Sequence, residues 1–187
     1  MSNHVIRSDD KSCHTRDSQL CLASTMRDEL QKIDINYLNL SHDEICEQIA
    51  LINNLTHKVV PGDGSCQYWA VSIALKACGF PVQYSVEELR SLAHQEIMSN
   101  PSFYIGFIQD NDIIEYAKGV LENEWGDDLT LTALGNKLDI HIEVYSFARQ
   151  YQNINHMGNC QSGYHIFLAH DYRIPACGHY KRLRTTS

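Results

Sequence analysis

The spacing of apolar residues changes near residue 139, from a helical period of about 3.6 to a strand period of about 2. Before this point apolar residues recur every three or four positions. After it, DIHIEVYSF (139–147) and YHIFLAH (164–170) alternate apolar with polar residues. Helices first and strands last predict an α+β fold, with helices packed against a small, mostly antiparallel sheet, and argue against a doubly wound fold.

Capping and turn residues divide the chain into predicted elements. Helices are expected to begin at Ser41, Cys66, Ser85, residue 112 and the turn at 125–128. Strands are expected at 57–60, 139–147, 164–170 and 177–183, with 148–163 as a polar hairpin loop. Two helix starts carry a capping box, formed by Ser41 with Glu44 and by Ser85 with Glu88, and Gly79 ends the helix after Cys66.

Composition excludes several classes of protein. The 187 residues carry a net charge of −8 without a dense basic block, so we expect neither nucleic-acid nor membrane binding. No apolar run approaches the roughly 20 residues that span a bilayer, and the polar N-terminus lacks the apolar region of a signal peptide. Seven cysteines without a CxxC pair predict a reducing compartment and no metal or cofactor.

Residues 61–75, PGDGSCQYWAVSIAL, join a tight turn to a helix that is apolar on most sides. Cys66 stands at the junction, where unpaired N–H groups and the helix dipole favour a thiolate, the reactive form of cysteine. The glycines of the turn allow the N–H groups of Gly64, Ser65 and Cys66 to converge as an oxyanion hole. Without other signals, a cysteine in this position is more often a core residue than a nucleophile.

A nucleophilic thiol also needs a histidine close enough to form an ion pair. His179 is the preferred residue, because Gly178 before it allows close approach of the backbone. His165 and His170, on the preceding predicted strand, are alternatives. His141 has apolar neighbours in its strand, which favours a packing or edge role.

Three blocks of the sequence resemble the catalytic blocks of the ovarian tumour (OTU) family of cysteine peptidases. GDGSC with the following QYWAV resembles the block around that family's nucleophile. EWGDDLTLTALGNKLDIHIEVYSF (124–147) and GHYKRL (178–183) resemble two later blocks, in the family's order. The resemblance spans 57–183 and implies a papain-like α+β fold that hydrolyses ubiquitin conjugates, with ubiquitin or polyubiquitin chains as the partner and no cofactor.

The same resemblance assigns roles to individual residues. It implies that Cys66 is the nucleophile, that His179 is the general base, and that Asp63 shapes the oxyanion loop without contacting the histidine. Tyr180 is the aromatic residue that flanks the catalytic histidine. Trp125 matches a structural position of the family, so we expect it in the core near the site.

The chain departs from the family's pattern two residues after the histidine. Many members carry Asp or Asn there to hold the imidazole in its tautomer, whereas this chain has Lys181, which cannot accept a hydrogen bond. We expect the missing acceptor from a segment upstream of Cys66, at Asp34 or Asn36, with Asn39 nearby. An Asn or Asp from residues 153–171, such as Asp171, is a second source, and a catalytic dyad is a third interpretation.

The resemblance also organises the whole chain. Residues 1–25 are expected to form a flexible tail, 26–56 an N-terminal helical extension, and 57–187 the catalytic domain. We expect a monomer in the cytoplasm, including a host cytosol for a bacterial effector or a viral protein. Two alternatives use the same fold: an inactive OTU-like module that binds ubiquitin, and a cysteine protease that processes a viral polyprotein.

Overall fold

The computed structural model describes the chain from residue 41 onward. The described ranges are 41–52, 55–108, 112–122, 124–148, 151–158, 161–171 and 179–185. Contacts divide the chain after Ile35, and every described residue belongs to the unit that follows. The predicted tail (1–25) and most of the predicted extension (26–56) lie outside these ranges, so the domain boundaries stay predictions. Among the described helices, none is both long and apolar enough to cross a bilayer.

Helices and strands follow the predicted order, helices first. The helices are α1 His42–Ile52, α2 Cys66–Ala77, α3 Val86–Ser99, α4 Pro101–Tyr104, α5 Ile113–Leu121 and α6 Asp128–Leu138. The strands are β1 Leu55–Lys58, β2 Ile140–Ala148, β3 Tyr151–Met157, β4 Tyr164–Asp171 and β5 His179–Thr185. They form one sheet in the order β1-β5-β4-β2-β3, in which β2 and β4 run parallel and the other neighbours antiparallel. The predicted α+β class with a mostly antiparallel sheet is confirmed.

Two predictions about strands are wrong. The strand expected at 57–60 lies at Leu55–Lys58, because its pairing with β5 ends at Lys58 and the chain then leaves the sheet. The segment 148–163, expected as a loop, contains β3, which forms a hairpin with β2. Its polar sequence, YQNINHM, belongs to an edge strand, where little apolar alternation is needed.

Both faces of the sheet are covered. Alternate side chains on one face join α2, α3, α5 and α6 in the larger core; these are Ile140, Ile142, Val144, Ile166, Leu168 and Tyr180. The opposite face contributes Tyr145, Ala169 and Leu183 to a smaller core. Helix α1 closes that core with Ile45, Cys46, Ile49 and Ala50. The sheet is therefore the middle layer, and α2 lies on one side of it only.

Helix α2 is buried along most of its length, as its apolar pattern predicts. Tyr68 is fully buried. Trp69 and Ile73 are half-buried and pack against the larger core. Ala77 and Cys78 are exposed, because the helix has reached its end there.

The predicted helix ends have the expected local chemistry. Gly79 adopts a φ of +76°, and Phe80 N–H donates to the Leu75 carbonyl at 3.0 Å, which closes α2 with a Schellman motif. Reciprocal capping boxes open α1, α3 and α6, at Ser41 with Glu44, Ser85 with Glu88 and Asp127 with Thr130. These hydrogen bonds satisfy N–H groups that have no partner inside a helix.

Helix α6 contacts the end of β3 through two glycines. A Cβ atom at Gly135 would lie 2.7 Å from the Gly158 Cα, and one at Gly158 would lie 2.6 Å from the Ile140 carbonyl oxygen. Gly158 also has a φ of +83°. Because both obstacles are backbone atoms, neither can rotate away. The close approach holds the β2–β3 hairpin against α6.

We expect Gly135→Ala to lower the free energy of unfolding by about 1–3 kcal/mol, because the methyl group overpacks a contact between backbones. Urea denaturation followed by circular dichroism measures this loss. Gly106→Ala is the matched control, since a Cβ there meets no atom within 4 Å. Equal stability of the two variants would contradict the close packing described for α6.

Candidate active site

Cys66 lies where α2 meets the start of β5. It is the first residue of α2 and is half-buried. The backbone of Tyr180 lies close enough to the Cys66 thiol to lower the pKa of that thiol. Tyr180 directly follows His179, the first residue of β5, whose backbone is described and whose side chain is not. The fold thus brings Cys66 beside the strand that begins with the predicted base.

Burial raises the pKa of the Cys66 thiol above its ordinary value. Backbone N–H groups of Tyr180 and Gln67 lower that pKa, and the negative charge of Asp63 raises it, but burial dominates. A thiol with a raised pKa is mostly protonated at neutral pH and reacts poorly. A thiolate at this position therefore needs a nearby cation in addition to the N–H groups.

The loop before Cys66 is folded around the Asp63 carboxylate. Ser65 N–H donates to Asp63 Oδ1 at 2.9 Å, and the Trp69 indole Nε1–H donates to Oδ2 at 3.0 Å. The hydrogen bond from Ser65, followed by that from Trp69, holds the pKa of Asp63 below its ordinary value. Gly64 adopts a φ of +84°, which few other residues tolerate. Since Ser65 N–H is engaged inside the loop, Gly64 and Cys66 are the remaining predicted oxyanion donors.

A buried arginine supports this loop from below. Arg90 is 2% exposed, and its Nη2 donates to Ser65 Oγ at 3.0 Å. Its Nη1 donates to the carbonyls of Val120 and Glu124, both at 2.9 Å. The guanidinium carbon lies 4.2 Å from the centroid of the Tyr68 ring. Arg90 therefore connects α3, the end of α5 and the loop before the cysteine.

Arg90 is missing from the sequence predictions, although a signal for its burial was available. It follows Val86 by four positions and precedes Ala93 by three, on the apolar stripe of α3. A charged residue on such a stripe is either misplaced or has buried partners. Two of its three hydrogen-bond acceptors are main-chain carbonyls, which no side-chain pattern in the sequence can indicate.

The first turn of α2 is also fixed to the first turn of α6. Gln67 is 1% exposed, donates to the Asp127 carbonyl at 2.9 Å and accepts from Thr130 Oγ1 at 2.8 Å. A Cβ atom at Gly126 would lie 1.9 Å from Gln67 Oε1, so the turn requires glycine there. Trp125, expected in the core, is instead 57% exposed and covers Gly64 with its indole ring. The segment 125–130 therefore forms one wall of the site.

The alternative histidines and Lys181 lie at other positions in the sheet. His170 stacks on the Tyr180 ring with centroids 4.0 Å apart, on the face of the sheet toward α2. His141 and His165 lie on the opposite face. Lys181 is fully buried, and burial lowers the pKa of its ammonium group.

Of the aspartates expected beside the histidine, Asp171 is the one within the described residues. Asp171, the last residue of β4, is fully buried and pairs directly with His179 across the antiparallel β4–β5 ladder. Asp34, Asn36 and Asn39 lie outside the described residues.

Comparison with known proteins decides the family. Residues 61–180 match the family model described as OTU-like cysteine protease, which is more than half of the chain. The chain belongs to this OTU family. The matched range includes Asp63, Cys66 and His179, and it contains the whole of α2 to β4. The resemblance read from the three sequence blocks is confirmed.

Solved OTU structures share the fold of the chain. The OTU domain of OTUD1 is 22% identical, with a TM-score of 0.57 over 88% of this chain and 98% of that one. The viral OTU protease from Dera Ghazi Khan virus is 18% identical, with a TM-score of 0.58 over 74% of this chain and 85% of that one. An OTU deubiquitinase from Wolbachia pipientis wMel, solved bound to ubiquitin, is 15% identical, with a TM-score of 0.56 over 71% and 97%.

One curated relative is similar in sequence as well. The putative ubiquitin thioesterase otu1 of Schizosaccharomyces pombe is 30% identical over 92 residues, which are 49% of this chain. The match spans 26% of that relative, so the two proteins share one domain and not their full length.

We expect Arg90→Lys to lower the free energy of unfolding by about 1–3 kcal/mol, because one ammonium cannot reach the hydroxyl and both carbonyls that the guanidinium contacts. Arg184→Lys, at an exposed position, is the matched control and should change stability by less than about 0.5 kcal/mol. Urea denaturation of both variants makes the comparison. An Arg90→Lys protein as stable as its control would show that Arg90 does not support the loop.

Proposed function

We propose that the protein is a thiol-dependent deubiquitinase, which hydrolyses peptide and isopeptide bonds at the C-terminal glycine of ubiquitin. The observation that carries this proposal is the placement of Cys66, at the N-terminus of α2 and close to the backbone of Tyr180, which directly follows His179. Membership of the OTU cysteine protease family supports the same chemistry. Ubiquitin is the proposed partner because relatives are named as a ubiquitin thioesterase and as a deubiquitinase bound to ubiquitin.

In the proposed reaction, the Cys66 thiolate attacks the carbonyl carbon of the C-terminal glycine of ubiquitin. The N–H groups of Gly64 and Cys66 donate to the oxyanion that forms. His179 gives its proton to the leaving amine and the C–N bond breaks, which leaves ubiquitin joined to Cys66 as a thioester. His179 then takes a proton from water, the hydroxide attacks the thioester, and the thiolate leaves.

Asp171 is the residue that we propose for holding the imidazole of His179. Residues that pair directly across an antiparallel ladder have Cβ atoms about 4.5–5.5 Å apart. Asp171 and His179 form such a pair, and Asp171 is fully buried. The carboxylate would then come from β4. In many members of the family it comes from the position two residues after the histidine, which is Lys181 in this chain.

The location in the cell and the oligomeric state are part of the proposal. Cytoplasmic action by a monomer agrees with the seven cysteines and the net charge of −8. A host cytosol remains our proposal for the case of a secreted or viral protein.

Cleavage of purified diubiquitin tests the proposed activity directly. We expect the full chain to release monoubiquitin and Cys66→Ala to release none, while Cys78→Ala, which removes an exposed thiol away from the site, keeps full activity. Cleavage by the Cys66→Ala protein would refute the mechanism. Tight binding of ubiquitin without cleavage by the wild type would favour the binding module, and cleavage of a peptide substrate alone would favour the polyprotein protease.

The pH dependence of alkylation tests the ion pair. Because burial outweighs the backbone N–H groups and raises the pKa of the Cys66 thiol, a nearby imidazolium is expected to bring that pKa down. Iodoacetamide labelling of Cys66, followed by peptide mass spectrometry, should give a thiol pKa at least about 1 unit higher in His179→Ala than in the wild type. His94→Ala, on α3, is the control and should leave it unchanged. Equal values in all three proteins would exclude the ion pair.

For Asp171→Asn we expect kcat/KM on diubiquitin to fall by about 100-fold or more, because an amide stabilises the wrong tautomer of the histidine and not its cation. The thiol pKa of Cys66 should rise in the same variant, a change that loss of packing alone would not produce. Asp112→Asn is the matched control, since asparagine also caps α5 well. Normal activity and normal thiol pKa in Asp171→Asn would remove Asp171 from the mechanism and return attention to Asp34 and Asn36.

A further inference from the structure

Three polar side chains converge on the face of the sheet that lies away from Cys66. His141 and His165 are direct partners in the parallel β2–β4 ladder, and Glu143 is two residues along β2 on the same face. Their nearest ligand atoms all lie within 4.8 Å of one another. Among the described residues, this is the group of three histidine, cysteine or acidic side chains that brings its ligand atoms so close together.

The side chains of His141, Glu143 and His165 contact one another, and a Glu143 oxygen lies close to a His165 nitrogen. The rings of His141 and His165 meet edge to face, with centroids 4.4 Å apart. Glu143 Oε2 lies 3.2 Å from His165 Nε2, a contact that lacks the geometry of a hydrogen bond. His165 Nε2 is buried and has no hydrogen-bond partner. A buried ring nitrogen without a hydrogen bond is rare, because burial removes its hydrogen bonds to water and no other hydrogen bond replaces them.

Neighbouring aromatic residues orient the group. The Tyr145 hydroxyl donates to Glu143 Oε1 at 2.5 Å, which leaves Oε2 on the side of His165. The Phe167 ring lies against His165, with centroids 4.5 Å apart. A hydrogen bond to the outer oxygen of a carboxylate, with an apolar wall beside a histidine, is the usual second layer around a bound metal ion.

We propose that His141, Glu143 and His165 form a binding site for a single divalent ion of the zinc class. Two imidazole nitrogens and one carboxylate oxygen are the ligands that Zn²⁺ accepts in three-residue sites, with a fourth position left for water. Tetrahedral coordination at about 2.0–2.1 Å places ligand atoms about 3.4 Å apart, so small side-chain rotations complete the site.

The bound ion connects β2 to β4 and stabilises the sheet without entering the reaction at Cys66. All three residues are half-buried, so the ion reaches the site from solvent. Binding requires the imidazoles in their neutral form, so protons compete with the ion for the site. The proposal does not depend on the deubiquitinase activity.

Titration with Zn²⁺ alone tests the site in the full chain carrying Cys66→Ser, which removes the reactive thiol. We expect one equivalent to bind at pH 7.5 with a rise in the melting temperature. His141→Gln and His165→Gln should each weaken binding by about 100-fold or more, and Tyr145→Phe by about 10-fold. His94→Gln, a half-buried histidine outside the group, is the matched control and should bind like the parent.

Co²⁺ substitution identifies the ligands independently of the variants' stability. Nitrogen and oxygen ligands should give only weak visible d–d bands, which disappear in His165→Gln, whereas cysteine ligands add an intense near-ultraviolet charge-transfer band. Circular dichroism checks that each variant is folded, and Tyr145→Phe provides a mild change if a histidine variant is not. No Zn²⁺ binding by the parent, unchanged binding in folded His165→Gln, or a thiolate band would each overturn the proposal and leave the three residues as an ion pair.

Discussion

The hydrogen bonds of the buried Arg90 guanidinium are the interactions on which the site depends. It reaches the loop before Cys66 through Ser65 Oγ and the end of α5 through two main-chain carbonyls. A buried cation is costly unless its N–H groups donate hydrogen bonds. The three acceptors of Arg90 lie in different segments, so the guanidinium connects parts of the chain that do not share a helix or strand. Arg90 holds Ser65 through its hydroxyl and Asp63 holds it through its N–H. Preorganisation of the oxyanion donors that we propose, the N–H groups of the adjacent Gly64 and Cys66, would follow from this support.

The two faces of the sheet carry different groups. Its larger core holds α2, and the backbone of Tyr180, at the start of β5, lies close to Cys66 there. Its other face packs against α1 and carries the histidine and glutamate side chains of the proposed metal site. Because side chains alternate along a strand, neighbouring residues of β2 and β4 serve different faces, so His141 and His165 lie on the face opposite to α2.

Much of this architecture is readable from the sequence. The change of hydrophobic period predicts the α+β class, the capping boxes predict two helix starts, and GDGSC with its two companion blocks indicates the family. Local signals suffice there because a cap or a turn is formed by residues close together in the chain. Pairing across the sheet is different: the polar edge strand β3, the parallel β2–β4 register and the meeting of His141 with His165 depend on distant partners. The burial of Lys181 and the exposure of Trp125 are tertiary outcomes of the same kind.

The proposed mechanism comes down to whether one thiol among seven is the nucleophile. A ubiquitin whose C-terminus carries a cysteine-reactive electrophile measures this directly, by intact mass and by mapping of the modified peptide. The account predicts one adduct per chain, located on Cys66, formed quickly with the ubiquitin probe and slowly with the free electrophile. An adduct on another cysteine, or no adduct from a folded protein, would contradict it.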